Sequence, residues 1–590
     1  MPADADRRHA AAEILGRAPR LIGNASMAAT TAARSVLDDP LTFGIQLARR
    51  FPAARGPLLA AALAARGADR RLVETWLSGD MAATRAQLDE TALRGSLSRL
   101  AAEVAQAAGR PELVVDDERV HAVARARAAW QIGEATLAIS LLERHAPGSR
   151  LHRALRAELA LMTPGTRLRW TPRGDAAPLA AGRGVLHLLT NSLPHTQSGY
   201  TVRSHEVLRA QRAAGLDPVA MTRVGYPVVV GGLGAAAVDV IDDIAYHRAL
   251  PARLAPTPDG RLGQQADALA ALAGRVRPAV LQTTTHYPNA VVVREVADAL
   301  RLPWAYEVRG MLEQTWVAGL GSDAARERAT QSERFRLTRE REAELASAAD
   351  AVFTLSGSMR DDLAGRGVPR ERVHLVPNGI DQRLLQRRSP TPAAARASLG
   401  LPSEGFWVGS TSSLVDYEGF DVLLDAVASA RADGHDVRAL LVGDGASRQA
   451  LESRARSRGL AEHAVFTGRV ARDEVVNYRD ALDVFVVPRH DREVTRTVSP
   501  LKPIEAMASG RPLVVSALPP LIETIGDALV EAGFTAPPGD ADALARRLVE
   551  LMHDEPARAA AVRLGRARAA ERTWGAIGAT YRAQINAASA

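Results

Sequence analysis

The chain has 590 residues, 47 % apolar and 24 % charged, which excludes a wholly disordered, collagen-like or coiled-coil protein and points to three or four domains. It contains no cysteine, so disulfides, cysteine-ligated zinc, iron–sulfur clusters and thiol nucleophiles are ruled out, as fits a reducing cytosol. The net charge of +7 is concentrated at the front: residues 1–175 carry 25 Arg against 19 acids, the rest 49 cations against 48.

Residues 1–20 alternate charge and alanine without the apolar stretch of a secretory signal. The longest apolar run, 57–65, is too short to span a membrane. The expected location is therefore cytoplasmic, with peripheral attachment at the inner face of the membrane as an option. Residues 1–162 read as an all-α accessory domain, because apolar positions recur at helical spacing, as at Ile139, Leu141 and Leu142 and at Leu155, Leu159 and Leu161. Within it, 124–142, with Trp130, Gly133, Ala135 and Ala138, loosely resembles one tetratricopeptide-type helix pair, but no second copy follows, so a plain bundle is the simpler reading. The basic excess suits a solvated helical surface, or contact with a partner protein, a membrane or another polyanion. Three prolines and four glycines in 163–184 mark a linker.

Beyond the linker, short apolar runs alternate with helical stretches. Strands are predicted at 185–190, 218–221, 279–283, 304–308, 351–355 and 373–376, then at 406–409, 437–443, 464–468, 484–488 and 512–516. This pattern predicts an α/β protein with two Rossmann-like domains, 185–378 and 379–590, the second ending in a C-terminal helix. Ligands of such sheets gather beyond the carboxyl ends of the strands, so two facing domains make a cleft.

One count stands out. The chain has 73 Arg and a single Lys, Lys502. Where arginine fills almost every cationic position, a surviving lysine marks a place suited to a compact ammonium rather than a planar fork. Lys502 follows Ser499-Pro500-Leu501 and opens a predicted helix ending before Gly510, just after the strand 484–488. Free amides and the helix dipole attract phosphate there. Glu505, one turn on, can accept hydrogen bonds from the vicinal hydroxyls of a ribose. Phosphate with ribose means a nucleotide; a surface lysine and a capping glutamate are the plain alternative.

Pro377-Asn378-Gly379-Ile380-Asp381, Leu441-Val442-Gly443-Asp444-Gly445, Phe466-Thr467-Gly468 and Glu505-Ala506-Met507-Ala508-Ser509-Gly510-Arg511-Pro512 together resemble the GT-B glycosyltransferases of family 4, over about residues 184–590. Ser198-Gly199-Tyr200-Thr201-Val202-Arg203-Ser204-His205 and Tyr306-Glu307-Val308-Arg309-Gly310 are similar to N-domain segments of members that build bacterial polysaccharides. The resemblance implies a retaining, metal-independent enzyme without a cofactor. Its partners would be a nucleoside diphosphate sugar, held by the second domain, and a glycan, lipid-linked or protein-linked hydroxyl acceptor, held by the first; no nucleic acid is implied.

It also implies roles for residues. Glu505 matches the second acid of the family's Glu-x7-Glu pair and would bind ribose, whereas the first falls on Thr497, with Asp491 and Glu493 nearby. The family's phosphate-binding Arg and Lys fall on Ser413 and Glu418, so both cations are missing. Lys502, with Arg496 as helper, would then neutralise the diphosphate, with Ser499 and Leu501 completing the donor loop. Gly199 matches a glycine loop, a turn glycine being the plain alternative. His286 matches a cleft histidine that touches the donor. Arg309 and Glu307 would contact acceptor or phosphate, or form a structural pair, and Asn378 and Gly379 would form the interdomain turn. The acceptor hydroxyl would attack from the face the diphosphate leaves, and the leaving phosphate oxygen would take its proton. Two other readings remain on the sequence: a nucleotide-sugar 2-epimerase on the same fold, and a non-catalytic scaffold, since positions 413, 418 and 497 depart from the family pattern. A lectin-like role fits poorly with 4 % aromatic residues.

Overall fold

The computed structural model of the chain describes residues 21–33, 68–95, 97–172, 182, 184–471 and 473–589. The stretch 1–20, the apolar run 57–65 and most of the second half of the linker lie outside these residues. No described helix is long and apolar enough to cross a membrane.

The described residues of 68–162 form only helices, turns and short connections, from Ala68–Ser78 to Arg150–Met162. Their starts are fixed by side-chain caps: Asp80, Ser98 and Ser149 each accept a backbone N–H from the first turn. They bury a core of small and aliphatic residues around Trp76, Leu88, Val104 and Leu142. The predicted helix pair is present as Ala122–Ile132 and Ala135–His145, joined at Gly133, whose φ of +97° is left-handed. A Cβ on Gly133 would also lie 2.4 Å from Ser332 Oγ, so this turn is the point where the bundle meets the next domain. Arg334 N donates to Gly133 O at 3.0 Å and Thr136 N to Glu333 Oε2 at 2.7 Å across the same seam. Leu161, Met162 and Leu168 then enter the core of the first sheet domain, so bundle and sheet share apolar packing. The helix at 21–33 sits apart from the bundle: Asn24 Nδ2 donates to the carbonyls of Leu233 and Ala235, and Met27 packs beside Val228 and Leu254.

The first sheet has eight strands: β1 Gly184–Leu189, β2 Asp217–Thr222, β3 Val238–Ile241, β4 Ile244–Arg248, β5 Pro278–Thr284, β6 Trp304–Val308, β7 Ala351–Thr354 and β8 Val373–Leu375. Their order is β3-β4-β2-β1-β5-β6-β7-β8, parallel except for the antiparallel β3–β4 edge. The second sheet contains β9 Phe406–Thr411, β10 Val437–Val442, β11 Ala464–Gly468, β12 Val484–Val487, β13 Leu513–Ser516 and β14 Thr535–Ala536, in the order β11-β10-β9-β12-β13-β14 and parallel throughout. Every predicted strand is present within a residue or two. The hairpin β3–β4 and the short β14 were not expected. The hairpin turns on Asp242 and Asp243, both at positive φ, where the usual sequence signal is a glycine.

The last helix, Trp574–Ser589, departs from the expected assignment to the second domain. Trp574, Ile577, Tyr581 and Ile585 pack with Val185, Val280 and Phe353 of the first sheet. Ile380 and Thr573 run side by side, with Ile380 N bonded to Arg572 O and Trp574 N to Ile380 O, so the chain crosses between the sheets twice at one place.

Candidate functional site

A cavity of about 430 Å³ lies between the carboxyl ends of the two sheets. Gly199, Tyr200, Arg203 and Arg309 line it on the first-sheet side, and Asn378 does so at the crossover. Ser412, Ser413, Glu418, Arg489, Ser499, Leu501, Lys502 and Glu505 line the other side. Most of these residues stand in loops that follow β6, β9 and β12, as parallel sheets dictate.

Lys502 opens the helix Lys502–Ala508, with Pro503 in the first turn, where its missing N–H leaves no gap in the ladder. Its Nζ donates to Glu418 Oε2 at 2.6 Å and to Ser412 Oγ. The side chain is 16 % exposed. Burial pushes the ammonium below the usual lysine range, against the pull of Glu418. Glu418 closes a short turn after β9. Burial would raise its carboxyl, but Arg489 and Lys502 outweigh that and hold it at about 2. Arg489 Nη2 donates to Glu418 Oε1 at 2.9 Å and Nη1 to Val498 O at 3.0 Å. The carboxylate at the position of a family cation is thus neutralised by two cations, leaving the group of three with one net positive charge. Glu505 reaches the cavity with Oε2 held by Arg479 Nη2 at 2.6 Å.

On the opposite wall Glu307 is completely buried, so of its two predicted roles it takes the structural one. Arg203 donates to its Oε1 at 2.9 and 3.0 Å, and Arg309 Nη2 to its Oε2 at 2.8 Å. Burial works against the charge, yet the two guanidinium groups hold the carboxyl at about 2. Arg203 Nη1 also donates to Asn378 Oδ1 at 2.9 Å, and Asn378 Nδ2 to Ser499 O at 3.1 Å, a chain of bonds that sets the loop at Ser499 relative to the first sheet. Arg309 stacks over Tyr200, with the guanidinium carbon 5.2 Å from the ring centre, and does line the cavity. Gly199 is the first residue of the helix Gly199–Ala213 rather than part of a loop, with Ser198 as its cap. A Cβ there would meet nothing within 4 Å, so the cavity is open at that point.

Two predicted residues are not brought to this wall. Arg496 belongs to the helix Glu493–Thr497, which turns Thr495 and Thr497 inward and Arg496 outward; its side chain is 56 % exposed and pairs with Asp491 at 2.7 Å. The second cation on the cavity wall is instead Arg489, paired with Glu418. His286 precedes the helix Tyr287–Leu300. Burial lowers its pKa, its Nδ1 has no hydrogen-bond partner among the described residues, and it is not on the cavity wall. Asp491 and Glu493 are exposed, and the Thr497 hydroxyl donates to Glu493 O within its own helix, so neither neighbour replaces the first acid of the pair.

Arg489, Arg479 and Ser412 had no place in the sequence reading. Arg489 directly follows the predicted strand 484–488, and the carboxyl-end rule alone would have nominated it.

Residues 198–379 match the family model described as glycosyl transferase 4-like domain, and residues 393–568 match that of glycosyl transferases group 1. The chain is 29 % identical over 220 residues to the 2-deoxystreptamine glucosyltransferase of Streptomyces kanamyceticus, covering 37 % of this chain and 55 % of that one. It is 31 % identical over 219 residues to the GDP-mannose-dependent alpha-(1-6)-phosphatidylinositol monomannoside mannosyltransferase of Mycolicibacterium smegmatis, covering 36 % and 56 %. The chain therefore spans little more than half the length of the curated relatives it matches. Among solved structures, it resembles sucrose-phosphate synthase from Thermosynechococcus elongatus with a TM-score of 0.55 and 21 % identity, over 69 % of this chain and 100 % of that one. It also resembles HepE of Anabaena, solved with UDP and glucose, with a TM-score of 0.51 and 18 % identity, over 68 % and 100 %.

Proposed function

The chain belongs to the family 4 glycosyltransferases of the GT-B fold, and from that premise we propose that it moves a sugar from a nucleoside diphosphate sugar to a hydroxyl of a glycan, lipid-linked or protein-linked acceptor, with retention at the anomeric carbon. The observation that carries this reading is the Lys502 ammonium in the wall of the cavity between the sheets. An ammonium has three N–H donors; Glu418 and Ser412 take two, and the third is left for an oxygen of the diphosphate. The net positive charge of Lys502, Arg489 and Glu418 suits that anion. Glu505, one turn along the same helix, takes the ribose hydroxyls. HepE binding UDP and glucose in a similar fold, and relatives named as glucosyl- and mannosyltransferases, support a nucleotide-sugar donor.

In this mechanism the bond between the anomeric carbon and the diphosphate oxygen breaks. Charge develops on that oxygen, and Lys502 stabilises it from a fixed position in a partly desolvated cavity. The acceptor oxygen bonds to the anomeric carbon on the same face and passes its proton to the leaving phosphate oxygen, so no side chain acts as general base. Arg309 and Tyr200, on the opposite wall, face the acceptor side.

The test is turnover of a panel of UDP-, GDP- and ADP-sugars by wild type and Lys502→Ala. Loss of one such donor costs about 2.7–4 kcal/mol of transition-state stabilisation, so kcat should fall roughly 100- to 1000-fold. Lys502→Arg should recover only part, because a planar fork does not reproduce a compact ammonium. Turnover of Lys502→Ala within a few-fold of wild type removes Lys502 from the mechanism. Isomerisation of the donor with no acceptor present would favour the epimerase instead.

A further inference from the structure

A second cavity, of about 490 Å³, lies far along the chain from the donor loop, in the seam where the helix Arg150–Met162 meets the start of the helix Pro258–Val276. Its wall is cationic. Arg153, Arg156, Arg167 and Arg169 line it against one carboxylate, Asp259, in the first turn of the neighbouring helix. Part of the lining is apolar, from Ala157, Leu161 and Leu168.

The four arginines are not equivalent. Arg167 is committed to Glu295 at 2.7 Å and to Asp298, and Arg153 donates to the carbonyl of Gly148. Arg156 and Arg169 have no hydrogen-bond or ion-pair partner among the described residues. In the cavity between the sheets, by contrast, the lining guanidinium groups are clamped to carboxylates or carbonyls, as Arg203, Arg309 and Arg489 are.

His152 supplies an independent sign. It lines the same cavity and is 6 % exposed. The Gly148 N–H donates to its Nδ1 at 3.1 Å, so the proton of the neutral ring sits on Nε2. That Nε2 is buried and has no hydrogen-bond acceptor; Glu143 Oε1 stands 3.7 Å away, beyond hydrogen-bond reach. A buried donor without an acceptor is costly unless a ligand completes it.

Two uncommitted guanidinium groups, a buried N–H lacking an acceptor and an apolar lining together complement a phosphate carried on an aliphatic body. We propose that this seam binds a phosphate-bearing ligand, a monoester or diester, with Arg156 and Arg169 as its charge partners. An anionic phospholipid headgroup and a soluble phosphoester offer the same chemistry, and the experiment separates them.

Two probes are used on the full chain: inorganic phosphate by calorimetry, and co-sedimentation with phosphatidylglycerol–phosphatidylcholine vesicles at low salt. They are applied to wild type, R156A/R169A, K502A and a charge-matched control, R328A/R339A, which alters exposed arginines elsewhere. Removing exposed side chains without partners leaves the fold intact, which thermal melts verify. The expected result is binding of at least one probe that weakens tenfold or more in R156A/R169A and stays near wild type in the control, whereas K502A removes only phosphate bound between the sheets. Weakening confined to phosphate assigns a soluble phosphoester; weakening that includes vesicles assigns the lipid headgroup. The proposal is overturned when neither probe binds wild type, when R156A/R169A binds as wild type does, or when the control loses as much as R156A/R169A.

Discussion

Glu307 on the first-sheet side of the cleft and Glu418 on the second are both buried carboxylates gripped by two cations, and both are held at about 2 against burial. The cations differ. Glu307 is held by two arginines that also donate to protein, Arg203 to Asn378 and the Val376 carbonyl and Arg309 to Ser204, with the buried Arg309 Nε left without a partner among the described residues. Glu418 is held by one arginine and the chain's single lysine, and the lysine keeps a donor in reserve. Rigid planar forks lock a scaffold; a compact ammonium with three donors can anchor itself and still receive an anion. The same electrostatic device thus builds structure on one wall and leaves chemistry open on the other.

The largest effect should come from breaking the structural clamp. Glu307→Gln leaves two buried guanidinium groups without their counter-charge and should cost about 3–5 kcal/mol of stability, measured by urea unfolding at pH 7. The pH dependence follows from the sign of the shift. An unfolded glutamate titrates near 4.3, above the folded value, so the contribution of Glu307 is complete above roughly pH 5 and is lost as pH falls toward 2. The gap between wild type and variant should therefore close in acid. A gap that does not shrink between pH 5 and pH 2 would mean that packing, not charge, holds this wall together.

The second clamp should answer differently. Glu418→Gln leaves Lys502 and Arg489 as neighbouring like charges and removes the group that raises the lysine's proton affinity. Lys502 is partly exposed and can turn to water, so the stability loss should be smaller, about 1–3 kcal/mol. The informative measurement is kcat/KM against pH. The ammonium is already below the usual lysine range, and the variant lowers it further, so the alkaline fall in activity should begin at lower pH than in wild type. An unmoved alkaline limb would separate Lys502 from the titrating group.

The sequence made this second clamp half legible. Lys502 was visible because it is the only lysine, and Glu505 because it lies one helical turn beyond. Glu418 looked like a hostile charge in a phosphate pocket, because its partner Arg489 lies 71 residues away and only the β9–β12 pairing brings them together. Strands with continuous apolar runs were readable from composition alone, since a parallel sheet buries both faces. The β3–β4 hairpin alternates exposed and covered residues at a sheet edge, and its Asp-Asp turn carries no glycine, so it left little signal. The return of Trp574–Ser589 to the first sheet was hidden for a different reason. An amphipathic helix announces that it packs, but not against which sheet; that is decided by the approach of Gly578, where a Cβ would lie 2.3 Å from Ala210 O.

The smallest effect should come from Arg496. It was expected to assist Lys502 from its position near the donor loop, yet it lies on the outward face of a five-residue helix, bonded to Asp491 at the surface. Exposed ion pairs contribute about 0–1 kcal/mol, and a charge in water beyond the cavity wall is screened from a diphosphate inside it. Arg496→Ala should therefore leave kcat/KM within about twofold of wild type at physiological salt, whereas Arg489→Ala, which frees Glu418 to face the anion, should not. A tenfold loss in Arg496→Ala would show that the diphosphate extends to the outer rim, and that the second clamp fixes Lys502 without being the whole of the anion site.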